Sequence, residues 1–128
     1  MRILLDTVTF LWAVTGAPEL SDAARELFED PANEIYLSSV STWEIAVKHS
    51  LGKLPLPEAP AKFIPTLRKQ HDIDFLSLDE EATLYLTRLP VLHRDPFDRI
   101  LVCQAIVQHL VILTPDELIN QYPVRTIW

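Results

Sequence analysis

The chain has 128 residues, 48% hydrophobic and 23% charged, with 18 acidic against 11 basic side chains and a formal net charge of −7. A chain of this size and composition suits one globular domain with a core of its own, and its acidity excludes nonspecific nucleic-acid binding through a general basic surface. The one cysteine, Cys103, excludes a disulfide framework or a cysteine-based zinc site and is compatible with a reducing compartment, so the expected location is cytoplasmic.

The opening "MRILLDTVTFLW" is apolar, but Asp6 interrupts it and no small-residue cleavage site follows, so neither a signal peptide nor a membrane span is expected. Arg2 to Leu5 is too short for a helix and reads as a buried strand, followed at once by a helix through Trp12. Ser21 caps a helix over "DAARELFED", and Pro31 and Asn33 turn the chain into a second strand, "EIYLSS". "SSVSTWEIAVKHS" then launches a helix in which Ser41 and Glu44 match the S/T-x-x-E capping box, closed by Gly52. "LPLPEAP" is a connection, and "AKFIPTLRKQH" is helical with Pro65 as a kink or boundary. "IDFLSL" is a third strand and "DEEATLYLTRL" a helix started by acids. The loop "PVLHRDP" ends at a helix N-terminus with Asp95 at N-cap, Pro96 at N1 and Asp98 at N3, and that helix runs to about His109. "LVIL" is a strand, Thr114 caps a short helix with Pro115 at N1 and Asp116 in its first turn, and "VRTIW" supplies a last strand. Strands alternating with helices imply a three-layer α/β/α fold with a mostly parallel central sheet, spanning residues 1–128 as a single domain.

Four acids share one topological feature. Asp6 and Asp116 follow buried strands, while Glu44 and Asp98 sit in the first turns of helices leading away from the sheet, and in an open parallel sheet those places converge on the crevice at the carboxyl ends of the strands. Acids in a first helical turn also have a purely structural explanation in capping and the macrodipole. Asp6 is harder to explain that way, because a carboxylate at the end of "ILL" needs a cation or several N–H groups. Carboxylates gathered in one crevice raise one another's pKa. A hard divalent cation relieves this, and oxygen ligands suit Mg²⁺ or Mn²⁺, which also bind substrate phosphate. The chemistry that follows is metal-assisted hydrolysis of a phosphodiester.

"LLDTVTFLW", "SSVSTWEIAVKHSLGKL", "HRDPFDRILVCQA" and "LVILTPD" together resemble the successive motifs of PIN-domain ribonucleases, in particular VapC-type toxins of type II toxin–antitoxin systems. The resemblance runs from the first strand to Trp128. It implies a PIN-like nuclease fold with Asp6, Glu44, Asp98 and Asp116 as the catalytic, metal-holding tetrad, Asp95 as a nearby acid and Thr114 as a hydroxyl orienting the site. It also implies Mg²⁺- or Mn²⁺-dependent cleavage of single-stranded RNA, usually within structured RNAs such as tRNA, leaving 5′-phosphate and 3′-hydroxyl ends. A cognate antitoxin protein and homodimerisation belong to the same expectation. One departure is that many relatives read "DTH" at the first motif, where this chain has Val8 after Asp6 and Thr7. On this reading the Glu44 carboxylate faces the crevice rather than Ser41.

Further residues carry two readings each. His93 and Arg94 are phosphate contacts, or a solvated loop with Arg94 in a salt bridge. Lys48, with His49 and Lys53, supplies local positive charge for RNA, or is a solvated helix face. Arg99 neutralises the acidic cluster. Trp12, Trp43 and Trp128 read as core or interface. Among rival functions, aspartyl-phosphate chemistry of the haloacid-dehalogenase type requires a second Asp two residues after the first, where Val8 stands, and a response-regulator receiver requires adjacent acids at the first strand end. A non-catalytic PIN-like RNA- or protein-binding module is the remaining alternative, separated from the nuclease by metal-dependent cleavage of an RNA panel.

Overall fold

The short apolar runs become the strands of one parallel sheet in a computed structural model that describes all residues, 1–128. The strands are β1 (Arg2–Leu5), β2 (Glu34–Ser38), β3 (Ile73–Leu76), β4 (Val111–Leu113) and β5 (Thr126–Ile127), in the order β3-β2-β1-β4-β5, and every pairing is parallel. Around them lie α1 (Thr7–Thr15), α2 (Asp22–Glu29), α3 (Ser39–Ser50), α4 (Pro60–Gln70), α5 (Glu80–Tyr85), α6 (Pro96–Gln108) and α7 (Glu117–Asn120). No helix is long and apolar enough to cross a membrane.

Side-chain alternation along β1 divides the core in two. Ile3 and Leu5 belong to one buried cluster with Phe10, Ala13, Ala24, Phe63 and Ile64 of α1, α2 and α4. Leu4 belongs to the other, with Leu101, Val102 and Ala105 of α6 and Ile119 of α7. Both faces of the central strand are therefore covered, which is why it reads as a continuous apolar run, and the three-layer α/β/α expectation holds. The chain steps outward from β1 through β2 to β3, then returns to the other side of β1 for β4 and β5. That reversal opens a crevice between the carboxyl ends of β1 and β4.

Several boundaries differ from the sequence reading. Helix α1 continues past Trp12 to Thr15 and stops at Gly16, whose φ of +66° disfavours any residue with a Cβ. Pro65 neither ends nor divides α4, which runs through it from Pro60 at its first turn. The acidic helix breaks after Tyr85 into a 3₁₀ turn over Leu86–Arg88. The largest change concerns α3. Its N-cap is Ser38, the last residue of β2, whose Oγ accepts the Val40 N–H at 3.0 Å. The strand turns into the helix with no linker, so Ser41 is already helical and no capping box forms with Glu44, which lies in the second turn. At the other end Gly52, at φ +71°, donates to the His49 carbonyl while Lys53 donates to that of Lys48, a Schellman closure.

One buried amide fixes α6 against the strand ends. Gln104, 1% exposed, accepts from the Ser38 hydroxyl and donates to the Ser77 carbonyl at 3.2 Å, tying the helix to the ends of β2 and β3. Gln104→Leu keeps the volume but strands both partners, so unfolding free energy should fall by about 1–3 kcal/mol. Urea denaturation measures this, and an unchanged midpoint would remove Gln104 from the anchoring of α6.

Candidate active site

The site begins at the end of β1. Asp6 is 4% exposed and caps α1, its Oδ1 accepting the Thr9 N–H at 2.9 Å. Its Oδ2 accepts from the hydroxyl of Thr114 at the end of β4, and that hydroxyl accepts the Asp116 N–H at 3.0 Å. A single chain of donors thus runs from Asp116 through Thr114 to Asp6 across the switch point. Burial pushes the Asp6 carboxyl above the ordinary aspartate range, hydrogen bonds from Thr114 and Thr9 pull it back, and the charge of Asp116 pushes it up again. Thr114 is not the helix cap expected from sequence. Asp116 caps α7 itself, its Oδ1 accepting the Leu118 N–H at 2.9 Å, because Thr114 is committed to Asp6.

Glu44, 5% exposed, comes from the second turn of α3. The Thr7 hydroxyl donates to its Oε1 at 2.7 Å, and the Ser41 Oγ lies 2.9 Å from the same Thr7 oxygen, placed to donate to it. Its Oε2 pairs with Lys48 one turn on. The hydrogen bond to Glu44 is the main cause that raises the Lys48 pKa, and the charges of Glu44, Asp95 and Asp98 add to it. Lys48 is therefore neither a bare solvated side chain nor a free phosphate contact.

The third group comes from the start of α6. Asp95 is its N-cap as expected, with Oδ1 accepting the N–H groups of Phe97 at 2.9 Å and Asp98 at 3.3 Å. Asp98 is pushed up to about 7, chiefly by burial and then by the charge of Asp95, with Asp116 and Glu44 contributing, while a hydrogen bond from His93 opposes the rise. His93 is held inside the protein, its ring nitrogens engaged with Tyr122 and Asp98. Arg94 is exposed. Arg99 does not neutralise the acids: its guanidinium donates to the Leu89 carbonyl at 3.5 Å and its Nε has no partner. His49 turns to the Leu54 carbonyl and Lys53 is exposed. Trp12 and Trp128 pack against each other, partly buried. Trp43 is 58% exposed, against the expectation of a core or interface residue, and meets Phe97 edge-on at 4.8 Å beside the residues that follow each of them, Glu44 and Asp98.

Asp98 feels the charges of Asp95, Asp116 and Glu44, and Asp6 feels that of Asp116, so the acids share one crevice. They do not form a ready-made cage: no three His, Cys, Asp or Glu side chains converge closely enough to hold a metal ion. Each carboxylate is instead turned to a local donor, as mutually repelling charges require. Mg²⁺ needs only one or two protein carboxylates and keeps several waters, so a donor set of all-oxygen side chains around a charge deficit fits it. A cleft of about 310 Å³ beside Asp116, lined also by Thr114, Asn120, Thr126 and Trp128, opens one flank of the crevice.

The family model described as "PIN domain" matches residues 3–124. The chain belongs to the PIN-domain family. Ribonuclease VapC16 of Mycobacterium tuberculosis is 36% identical over 69 residues, 54% of this chain and 49% of that protein, so the match spans about half of each. Among solved structures, VapBC2 of Rickettsia felis, crystallised with a DNA fragment from its promoter, superposes with a TM-score of 0.74 at 17% identity, covering 99% of this chain and 98% of that one. DNA-bound VapBC of Salmonella typhimurium gives 0.68 at 17% identity over 99% and 97%. At these identities the two structures establish the fold of the PIN domain described above.

In this PIN domain the residues that sequence reasoning missed are Thr7 and Tyr122, neither of which sits at a position marked by charge or by capping spacing, while Ser41, expected to cap α3, instead lies against Thr7. Thr114→Val leaves the buried Asp6 Oδ2 without its donor and should lower stability by about 1–3 kcal/mol, whereas Thr114→Ser should keep most of it. Chemical denaturation of the two variants distinguishes them, and equal stabilities would remove the hydroxyl from the account.

Proposed function

We propose that this PIN domain is a Mg²⁺- or Mn²⁺-dependent endoribonuclease, the toxin of a toxin–antitoxin pair, that hydrolyses phosphodiester bonds in RNA at Asp6, Glu44, Asp98 and Asp116. The observation that carries it is the delivery of four acids from four different elements to one crevice, where Asp6 is buried and Asp98 is pushed up to about 7. A relative named as a ribonuclease and a fold shared with VapBC proteins support the reading. Its partners are a single-stranded region of a structured RNA such as tRNA, a cognate antitoxin protein and a second copy of the chain, in the cytoplasm.

When bound, a divalent cation supplies the charge that offsets the carboxylates and the Lewis acidity that activates water and stabilises the leaving oxygen. Asp6, Asp98, Asp116 and Glu44 would hold it, with Thr114 fixing the orientation of Asp6. The Lys48 ammonium, paired with Glu44 on a side chain 47% exposed, would offer the RNA backbone a local positive charge. Arg94, exposed in the loop before α6, adds a second local positive charge.

Cleavage of an RNA panel with Mg²⁺ should be abolished by chelation and by Asp6→Asn. If Asp6→Asn cuts RNA at the wild-type rate, the assignment of the site fails. The rate should also rise with pH through neutrality, because ligand carboxylates must release their protons. A rate flat from acidic to alkaline conditions, with chemistry limiting, would contradict it.

The two acids at the start of α6 are separable. Asp95→Ala removes a cap that serves two N–H groups and should reduce stability by about 0.5–2 kcal/mol, with a smaller loss of activity. Asp98→Asn should remove most of the Mg²⁺-dependent activity while its stability does not suffer. In the unfolded chain Asp98 releases its proton at about pH 4, but in the folded metal-free protein it keeps the proton to about 7. Between those values the folded state binds more protons, so the stability of the wild-type protein falls as pH rises, and Asp6, raised in the same sense, adds to the fall. Asp98→Asn should flatten that decline in thermal melts taken without metal. A decline of unchanged depth, or an inactive Asp95→Ala beside an active Asp98→Asn, would reverse the roles.

A further inference from the structure

Three contacts join Tyr122, His93 and Asp98. The His93 backbone N–H donates to the Tyr122 oxygen at 3.2 Å, the His93 Nδ1 lies 2.8 Å from that oxygen, and the His93 Nε2 lies 3.4 Å from Asp98 Oδ2. Both rings are enclosed: Tyr122 is 3% exposed, the His93 side chain 9%, and their centroids are 5.3 Å apart. With a neutral imidazole only one proton arrangement satisfies every atom. The Tyr122 oxygen accepts the amide and its O–H donates to Nδ1, which leaves the Nε2–H tautomer to donate to the Asp98 carboxylate. The opposite tautomer would leave the buried tyrosine O–H without a partner and, with Asp98 ionised, would set the Nε2 lone pair against the Asp98 oxygen.

We infer that Tyr122 and His93 are positioning residues that orient the Asp98 carboxylate toward a divalent cation, Tyr122 selecting the His93 tautomer and His93 holding Asp98 Oδ2. The inference rests on the metal-site reading above and adds to it residues that touch neither cation nor RNA. With both ring nitrogens engaged inside the protein, His93 is not the phosphate contact expected from its place beside Arg94. The arrangement answers a specific need: Asp98 stands in the first turn of α6 among acids that repel it, so one oxygen has to be pinned if the other is to be offered to a cation. The tyrosine ring packs in the cluster with Val102 and Ile119, so its core role and the role of its hydroxyl can be separated by removing the oxygen alone.

The test uses the full chain, with Mn²⁺ binding read by electron paramagnetic resonance and the His93 tautomer read from imidazole ¹⁵N shifts in the metal-free protein. The wild type should show the Nε2–H tautomer. Tyr122→Phe, which keeps the ring, should lose that bias and weaken Mn²⁺ binding about tenfold, the size of effect expected for an outer hydrogen-bond partner of a metal ligand. His93→Gln keeps a donor on a longer arm, and in that background Tyr122→Phe should cost nothing more. An Nδ1–H tautomer in the wild type, wild-type Mn²⁺ affinity in Tyr122→Phe, or an undiminished tenfold loss in the His93→Gln background would each overturn the inference alone. A wild-type protein that binds no Mn²⁺ would overturn the metal-site reading, and the inference with it.

Discussion

The carboxyl end of the sheet is organised by the burial of one carboxylate. Asp6 closes the central strand where it is nearly buried, and a group of that kind has to find donors within the protein. One donor comes from α1, which starts at the next residue so that the Thr9 N–H falls on Oδ1. The other comes from Thr114, which is in reach only because β4 lies beside β1. The reversal of strand order is thus a requirement of the site as well as a feature of the fold. The same two donors restrain a pKa that burial would otherwise raise further.

The remaining acids are held by the same economy of parts, each carboxylate taking as its donors the groups that also start or brace a helix. Asp116 and Asp95 cap α7 and α6, and Glu44 is braced from α1 through Thr7. Such double use makes a site of acids compatible with a stable chain before any cation binds. The compatibility is incomplete, since burial and then the charges of its neighbours push the Asp98 carboxyl up to about 7. A site that is short of positive charge in the free protein is one whose occupation by a cation adds stability.

Much of this was legible from local rules. The buried strands, their alternation with helices, the convergence of Asp6, Glu44, Asp98 and Asp116, and the Asp95-Pro96 start of α6 all follow from short patterns read at fixed spacing. The failures have a common cause. The sequence points to Ser41 as the cap of α3, where Ser38 caps, and to Thr114 as the cap of α7, where Asp116 caps; the capping rules assume that a side chain is free to turn to its own helix, and Thr114 is claimed by a residue 108 positions away. Thr7 with Glu44, Ser38 with Gln104 and Tyr122 with His93 are likewise bonds between distant segments, which periodicity cannot report. Trp43 misled for another reason: its neighbours form an apolar pattern, but the turn of α3 that carries it faces the edge between α3 and α6.

Lys48 is placed where the proposed nuclease would meet its polyanion. A Glu-to-Lys pair one turn apart is a common helix feature worth a few tenths of a kcal/mol, and by itself would carry no functional meaning. Here the glutamate is nearly buried while the lysine is half exposed, and Asp95 and Asp98, from another helix, also favour its charge. The ammonium therefore stands between the acids behind it and the solvent in front. Of the other basic side chains near the crevice, Arg99 turns to a carbonyl and Arg94 stands exposed in the loop before α6. With a net charge of −7 the surface as a whole repels a phosphate backbone. On the proposed reading attraction has to be local, and the half-exposed ammonium of the Glu44–Lys48 pair, with the charge of a bound divalent cation, would supply it.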